Sequence, residues 1–377
     1  MMTNQYSTRV QTIVIGGGQA GLAVGYHLSR RGLPFLILDA NSRMGDAWRN
    51  RWDSLRLFTP ARYDALPGLP FPARGDSFPT KDDMADYLES YAGHFNLPVQ
   101  AGVKVDRLSR EGSRFMVRAG EARFEADQVV VAMANYQVPR PPAFAKELDS
   151  NIVQLHSHDY KNPSQLREGG VLVVGLGNSG ADIGLEVART HPTWLSGTES
   201  GFIPWPIESF FGRQIGFRIV RFIGGRVLNV NTPIGRRLRP KFLHRTAPLI
   251  RVKPKDLTAA GIQRVARVAG TREGKPQLVN GRVLDVQNVI WCTGFRPGFS
   301  WIDLPIFDES GDPRHDRGVV TELPGLYFVG LQFLSSMTSA TVTGVGRDAE
   351  RVAKAVELHA RNRSNLSAER ALTAEAA

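Results

Sequence analysis

Apolar residues follow two rhythms along this chain. Short unbroken runs at Thr12–Ile15, Pro34–Leu38, Asp127–Ala132, Val171–Val174, Val286–Gly294 and Leu326–Gly330 predict strands buried on both faces, the pattern of a parallel sheet. Between them lie segments of helical period: Leu22–Leu28, Ala181–Thr190, and a last one opening at Gly344-Val-Gly-Arg-Asp348 with Val352, Ala355 and Val356 apolar. Thr80-Lys-Asp-Asp-Met84 starts a further helix, with threonine as N-cap, acids in the first turn, and Met84, Tyr87, Leu88 and Tyr91 on one face. Val99 to Asp106, Arg114 to Arg118 and Ala122 to Glu125 alternate like antiparallel strands, Gly281 to Asp285 reads as a short strand, and Thr193 to Ser196 as a strand after the second helix. Residues 133 to 170 read as connecting segment, residues 201 to 255 show no clean period, and the chain beyond about Arg363 is expected to fray.

The first strand, turn and helix enclose Gly16-Gly-Gly18-Gln-Ala-Gly21, a G-x-G-x-x-G turn. That chemistry uses glycine three times: for a tight turn, for backbone approach to a pyrophosphate, and for close packing of helix on strand. The helix N-terminus then offers free N–H groups to phosphate. Asp39 ends the second apolar run, 18 residues past Gly21, where a ribose-binding carboxylate belongs. The pattern recurs as Gly175-Leu-Gly177-Asn-Ser-Gly180, and two such turns in one chain predict two bound dinucleotides. The expected fold class is α/β with two Rossmann-like domains: 1–145 and 286–377 form the first, and 146–285 is inserted as the second.

Composition narrows the chemistry. At 377 residues, 42% hydrophobic and 22% charged, the chain is long enough for two domains and has the composition of an ordinary globular protein. No run approaches the roughly 18 to 20 apolar residues of a membrane span, and residues 1 to 10 lack the core of a secretory signal, so a cytoplasmic location is expected. The lone Cys292, in an apolar run, allows neither a disulfide within the chain nor a Cys-x-x-Cys dithiol, no cysteine-rich metal site is expected, and it reads as a buried small hydrophobe. Between Gly201 and Lys255 stand twelve Lys and Arg against one acid, Glu208, so this segment carries the whole formal excess of +11. A solvated basic face beside a nucleotide site is the plain reading. Peripheral contact with an anionic membrane is the alternative, because Phe210, Phe211, Phe217 and Ile219 interleave with Arg213, Arg218 and Arg221; nucleic acid ranks below both.

Together with Gly45-Asp-Ala-Trp48-Arg, Trp291-Cys-Thr-Gly294-Phe-Arg-Pro and Leu326-Tyr-Phe-Val-Gly330, the two glycine turns give an order and spacing that resembles the class B flavin-dependent monooxygenases over about residues 10 to 360. The resemblance implies FAD on Gly16, Gly18 and Gly21, with Asp39 on the ribose, Trp48 near the flavin, Val105 meeting the adenine through its backbone, and Gly330 closing the site. It implies NADPH or NADH as co-substrate on Gly175, Gly177, Asn178, Ser179 and Gly180, with Thr198 at the position matching Asp39. The implied reaction passes hydride from NAD(P)H to FAD, and a C4a-hydroperoxyflavin then gives one atom of O2 to a small molecule with a soft nitrogen or sulfur. A Baeyer-Villiger ketone oxygenase and a non-catalytic flavin- or nucleotide-binding redox sensor are the alternatives. The family's linking signature survives only as His156-Ser-His-Asp-Tyr160, and Ala132-Met-Ala134 replaces Ala-Thr-Gly. His156 and Tyr160 are the only candidate acid–base residues, no metal site is expected, and oligomeric state and substrate are not readable.

Around Thr198 the residues are Ser196-Gly-Thr198-Glu199, without the cation that clamps a 2′-phosphate, unless an arginine of the 201 to 255 segment reaches in. NADH is therefore expected to serve about as well as NADPH. Steady-state kcat/KM for both checks this, and an NADPH preference above about a hundredfold would show that a cation clamps the 2′-phosphate after all.

Overall fold

The computed structural model describes residues 8–198, 201–244 and 247–375. The first apolar run becomes β1 (Thr8–Ile15), buried over its last four residues. It pairs in parallel with β2 (Phe35–Leu38) on one side; β2 carries β3 (Val99–Gln100) at its outer edge. Beyond β3 follow β4 (Arg107–Glu111), β5 (Arg114–Ala119) and β6 (Ala122–Val131), an antiparallel meander whose last strand lies parallel to β1 on its other side. The order is β3-β2-β1-β6-β5-β4. Helices α1 (Gln19–Ser29), α2 (Asp46–Arg49) and α3 (Lys81–His94) belong to this unit. Thr80 caps α3 as its sequence predicts: its Oγ1 accepts from Asp83 N–H at 3.1 Å, the Asp83 carboxylate accepts from Thr80 N–H at 2.8 Å, and Met84, Tyr87, Leu88 and Tyr91 are buried.

After the two-residue β7 (Val138–Pro139), the second unit opens with β8 (Val153–His156), β9 (Val171–Val174), α4 (Asn178–Val187) and β10 (Thr193–Ser196). A continuous helical run over 210–227 follows, π-wound at Gly212–Gly216 and Ile223–Val227 around α5 (Phe217–Phe222); then come α6 (Pro233–His244), α7 (Pro254–Ala259) and β11 (Gln263–Val265). A hairpin, β12 (Val268–Arg272) with β13 (Lys275–Leu278), precedes β14 (Asn288–Trp291) and β15 (Phe295–Arg296), which pairs with β7. The second sheet is parallel throughout, in the order β11-β10-β9-β14-β8. The chain then returns: β16 (Leu326–Phe328) pairs with β6, and α8 (Val342–Glu375) packs on α1.

Several sequence expectations shift. Val99–Asp106 is not one strand; only Val99–Gln100 pairs, because Gly102 turns at φ +75° and Val103 N–H bonds the carbonyl of Asp39 instead. The two strands expected over 122–132 are one. Residues 133–170 are more than a connection, since Val153–His156 forms the edge of the second sheet. The strand expected at 281–285 is absent, with a single bridge from Val283 to Gln277 in its place. The boundary drawn at residue 286 falls too early for the sheets: β14 pairs with β9 and β8, so the second sheet keeps the chain through Trp291. The basic segment hid its first helical run because the π-wound parts at 212–216 and 223–227 repeat more slowly than 3.6 residues. Helix α8 continues past Arg363 to Glu375.

Asp64, 1% exposed, lies in the loop after α2 among Leu57, Ala61 and Leu66. Its Oδ1 accepts from the Thr59 hydroxyl, its Oδ2 has no described partner, and burial pushes its carboxyl up to about 7. An unfolded aspartate titrates near 3.9, so the native state holds this proton more tightly. The associated stability is full below about pH 4 and lost as pH rises toward 7, by up to about 1.4 kcal/mol per pH unit. Asp64→Asn keeps the acceptor for Thr59 and removes the titration. The melting-temperature advantage of the variant over wild type should grow from pH 5 to pH 8; a gap independent of pH would show that Asp64 is ionised throughout.

Candidate functional site

Each glycine turn sits where a central parallel strand gives way to a helix. Gly16 takes φ +106°, and its N–H bonds the carbonyl of Leu38 at 2.8 Å. A Cβ on Gly21 would stand 1.8 Å from the Gly16 oxygen, whereas one on Gly18 would meet nothing within 4 Å. Gly18 is the N-cap of α1, with no side-chain cap and no acid in the first turn, so the leading N–H groups are left for an anion. Buried Asp39 frames the turn: Oδ2 accepts from Gly17 N–H at 2.6 Å, and Oδ1 accepts from the backbone and side-chain amides of Asn41 at 2.8 and 2.9 Å. Its remaining lone pairs can take a diol.

Other expected residues converge on this turn. Gly45, at φ +87°, lets α2 close on α3, where a Cβ would lie 2.4 Å from the Ala85 oxygen. Arg49 locks that approach through Asp86 at 2.8 Å and Glu89 at 3.0 Å. Trp48 then donates its indole N–H to Gln19 Oε1, in the first turn of α1, at 3.2 Å. Gly330, at φ +87° after β16, would touch the Ala20 Cβ at 3.0 Å if it bore a side chain. Val105, outside any strand, is half-buried against the apolar cluster on which Leu36 and Val103 also pack.

The second turn repeats the first. Gly175 takes φ +114° and bonds the Ser196 carbonyl at 2.7 Å, and a Cβ on Gly180 would again stand 1.8 Å from the preceding glycine oxygen. Gly177 caps α4 without a side chain. Cys292 lies beneath: its carbonyl is 2.2 Å from where a Gly175 Cβ would be, and burial pushes its thiol up to about 12. The side chain of Asn178 points away from the role expected of it. It donates to the Pro248 carbonyl at 3.1 Å and accepts from Ile250 N–H at 2.8 Å, so it pins the basic segment to the turn. Ser179 is half-buried and Thr198 exposed. The strand registers correct the match to Asp39: Leu38 pairs with Ile15 as Ser196 pairs with Val174, which makes Gly197 the counterpart and Thr198 the residue after it. Glu199 lies outside the described residues.

Loops leaving the ends of β6 and β14 meet between the turns. Tyr136 and Phe295 rings lie 6.0 Å apart, His156 and Phe295 5.0 Å, and the Arg51 guanidinium lies 5.8 Å from the Phe295 centroid. Gln332 donates to the Tyr136 hydroxyl at 2.6 Å and its N–H to Asn135 Oδ1 at 3.0 Å. Burial lowers the Arg51 pKa, and among the described residues no carboxylate pairs with it. Sequence reasoning missed Arg51, Tyr136 and Phe295; the available signal was their position just past parallel strand ends, where such sheets bind ligands, and in the basic-aromatic stretch after Trp48.

His156 and Tyr160 do not face this seam as free acid–base groups. His156 Nε2 bonds the Gly294 carbonyl at 3.0 Å while Nδ1 accepts from His158 N–H at 3.1 Å, and burial lowers its pKa, so it stays neutral. Tyr160 is fully buried and donates to Glu186 Oε2 at 2.8 Å, with its pKa raised by burial. The loop from Leu57 to Phe78 and the basic segment border a cleft lined by Arg56, Arg74, Ser77, Phe78, Glu208 and Arg213. Among the described residues no His, Cys, Asp or Glu cluster could hold a metal, and no helix is long and apolar enough to cross a membrane.

Residues 13–193 match the family model of pyridine nucleotide-disulphide oxidoreductases. An uncharacterized CzcO-like oxidoreductase of Geobacillus kaustophilus is 40% identical over 345 residues, covering 90% of this chain and 96% of the relative. A probable indole-3-pyruvate monooxygenase of Arabidopsis thaliana is 30% identical, covering 90% and 86%. The solved flavin-containing monooxygenase of Stenotrophomonas maltophilia superposes with a TM-score of 0.73 at 29% identity, over 94% of this chain and 99% of that one.

Tyr160→Phe should leave turnover unchanged and cost about 1 kcal/mol of stability through the lost bond to Glu186. Parallel steady-state assays and thermal melts check this; a large loss of kcat with an unchanged melt would give Tyr160 a chemical role.

Proposed function

Since the chain belongs to the class B flavin-dependent monooxygenase family, and is an oxidoreductase that uses FAD with NAD(P)H, we propose that it oxygenates a soft nitrogen or sulfur centre of a small molecule. FAD would rest on Gly16, Gly18 and Gly21, its pyrophosphate against the uncapped start of α1 and its ribose on Asp39. The residues present fit that group: an open Gly18, unspent N–H donors and a buried carboxylate lie together. Trp48, the Val105 backbone and Gly330 would border the rest. The nicotinamide nucleotide would rest on Gly175, Gly177, Ser179 and Gly180, with Asn178 shaping the turn and Thr198 beside the ribose. Bound FAD, once reduced by the nicotinamide, supplies the activation of O2. The chain's own part is to hold the two ligands in register and keep water out.

The observation that carries the choice of substrate is the state of His156 and Tyr160. Both are spent on structural bonds, which suits a substrate whose own lone pair attacks and needs no base. Arg51, with no acid partner among the described residues, would meet an anionic group of the bound ligands at the seam.

The test is NAD(P)H oxidation by the FAD-loaded enzyme with thioether, amine and ketone substrates, with product analysis and a peroxide assay. Sulfoxide or N-oxide matched to nucleotide consumed is the expected result. Ester formed from ketone alone would make it a Baeyer-Villiger enzyme, and failure to bind FAD would defeat the reading altogether.

A further inference from the structure

The helical run over 210–227 is built inside out. It approaches the body of the protein through glycine: Gly212, Gly216, Gly224 and Gly225 are buried. A Cβ on Gly216 would stand 2.4 Å from the Trp205 indole nitrogen, one on Gly212 2.4 Å from the Pro206 oxygen, and one on Gly224 2.6 Å from the Met337 methyl. Phe217 is buried with Phe78 and Ile207, but the other large apolar side chains point the other way. Phe210 is 79% exposed and Phe222 62%, and Phe211, Ile215, Ile219 and Ile223 are each 41% to 44% exposed. The last four recur every four residues, so they form one stripe along a run wound partly as π. A surface helix of a globular protein does the reverse, burying its apolar stripe, and an outward patch of this kind marks an interaction surface.

Charge identifies the partner. Arg218, Arg221 and Arg226 are exposed on the same run, and α6 adds exposed Arg236, Arg237 and Lys241 beside Ile234 at 55% exposure. The only acid from 201 to 255 is Glu208. A second copy docking stripe to stripe would set these arginines against their own equivalents, which is repulsive. A sheet of lipid phosphates complements them while its acyl chains take the phenylalanines and isoleucines. No described helix is long and apolar enough to cross a bilayer.

We propose that the run over 210–227 lies in the plane of an anionic lipid surface, its apolar stripe among the acyl chains and its arginines at the phosphates. The proposal is independent of the redox reading, since it concerns the outer face of the segment.

The test uses the full-length, FAD-loaded protein and vesicles of phosphatidylcholine with or without phosphatidylglycerol. Co-sedimentation should favour the anionic vesicles by about tenfold, and high salt should weaken it. Joint Phe210→Ser, Ile219→Ser and Phe222→Ser should lower binding by about tenfold, as should joint Arg218→Glu, Arg221→Glu and Arg226→Glu. Flavin absorbance and melting temperature check the fold, and the serine variant, whose three residues are exposed, should leave both unchanged. Hydrogen exchange of wild type, which needs no variant, should slow over 210–227 when anionic vesicles are added. Unchanged exchange, or equal binding by the serine variant, would overturn the proposal. So would a dimer seen by light scattering that the serine changes dissolve while vesicles stay unbound, which would assign the stripe to a second copy.

Discussion

The architecture depends on one steric allowance, made twice. At each turn a peptide oxygen, of Gly16 or of Gly175, lies where the Cβ of any other residue at 21 or 180 would be, only 1.8 Å away. No rotamer relieves that contact, because the first atom of the side chain makes it. The close approach lets α1 and α4 start directly above their strands, which aims the free N–H groups of each helix at the strand ends. Overpacking in a well-packed interior typically costs about 1–3 kcal/mol. Here the obstacle is backbone, so a substitution would shift the turn itself and the ligand seat with it.

The two turns differ in what stands after the adjoining strand. In the first unit Asp39 is buried and bonded on both oxygens, which fixes it as a rigid acceptor. In the second, Gly197 takes its place, and a side chain there would strike Leu176 N–H at 2.6 Å. The second seat thus lacks any fixed charge at this point. Asn178 compensates in another way, by fastening Pro248 and Ile250 to the mouth of the turn.

Local chemistry was legible in the sequence; pairing at a distance was not. Glycine spacing, the cap at Thr80 and the apolar runs report constraints that act within a few residues. Asn288–Trp291 looked like any buried strand, and only its partners Val171–Val174 and Val153–His156 show which sheet claims it. Arg51, Tyr136 and Phe295 come from three separate stretches, and no single stretch has a period that announces their meeting. The helical run over 210–227 escaped because its π-wound turns at 212–216 and 223–227 are wider than the period sought. His156 and Tyr160 were visible as residues, but their bonds to Gly294 and Glu186 span 138 and 26 positions, so their employment was hidden.

The stretch from Trp48 to Trp52 joins the two units in another sense. Trp48 bonds the first turn of α1, while Trp52 is buried with Tyr160, Leu249 and Val252 in the core of the second unit. Lys161 donates to the Asn50 carbonyl, and Asp53 N–H bonds the Lys161 carbonyl at 2.8 Å. Four residues of fully extended chain reach about 14 Å at most. As long as both indoles stay seated, the two glycine-turn units are on a leash of that length. Any swing of one unit against the other must be short, or it must first unseat a tryptophan, whose emission would report the event.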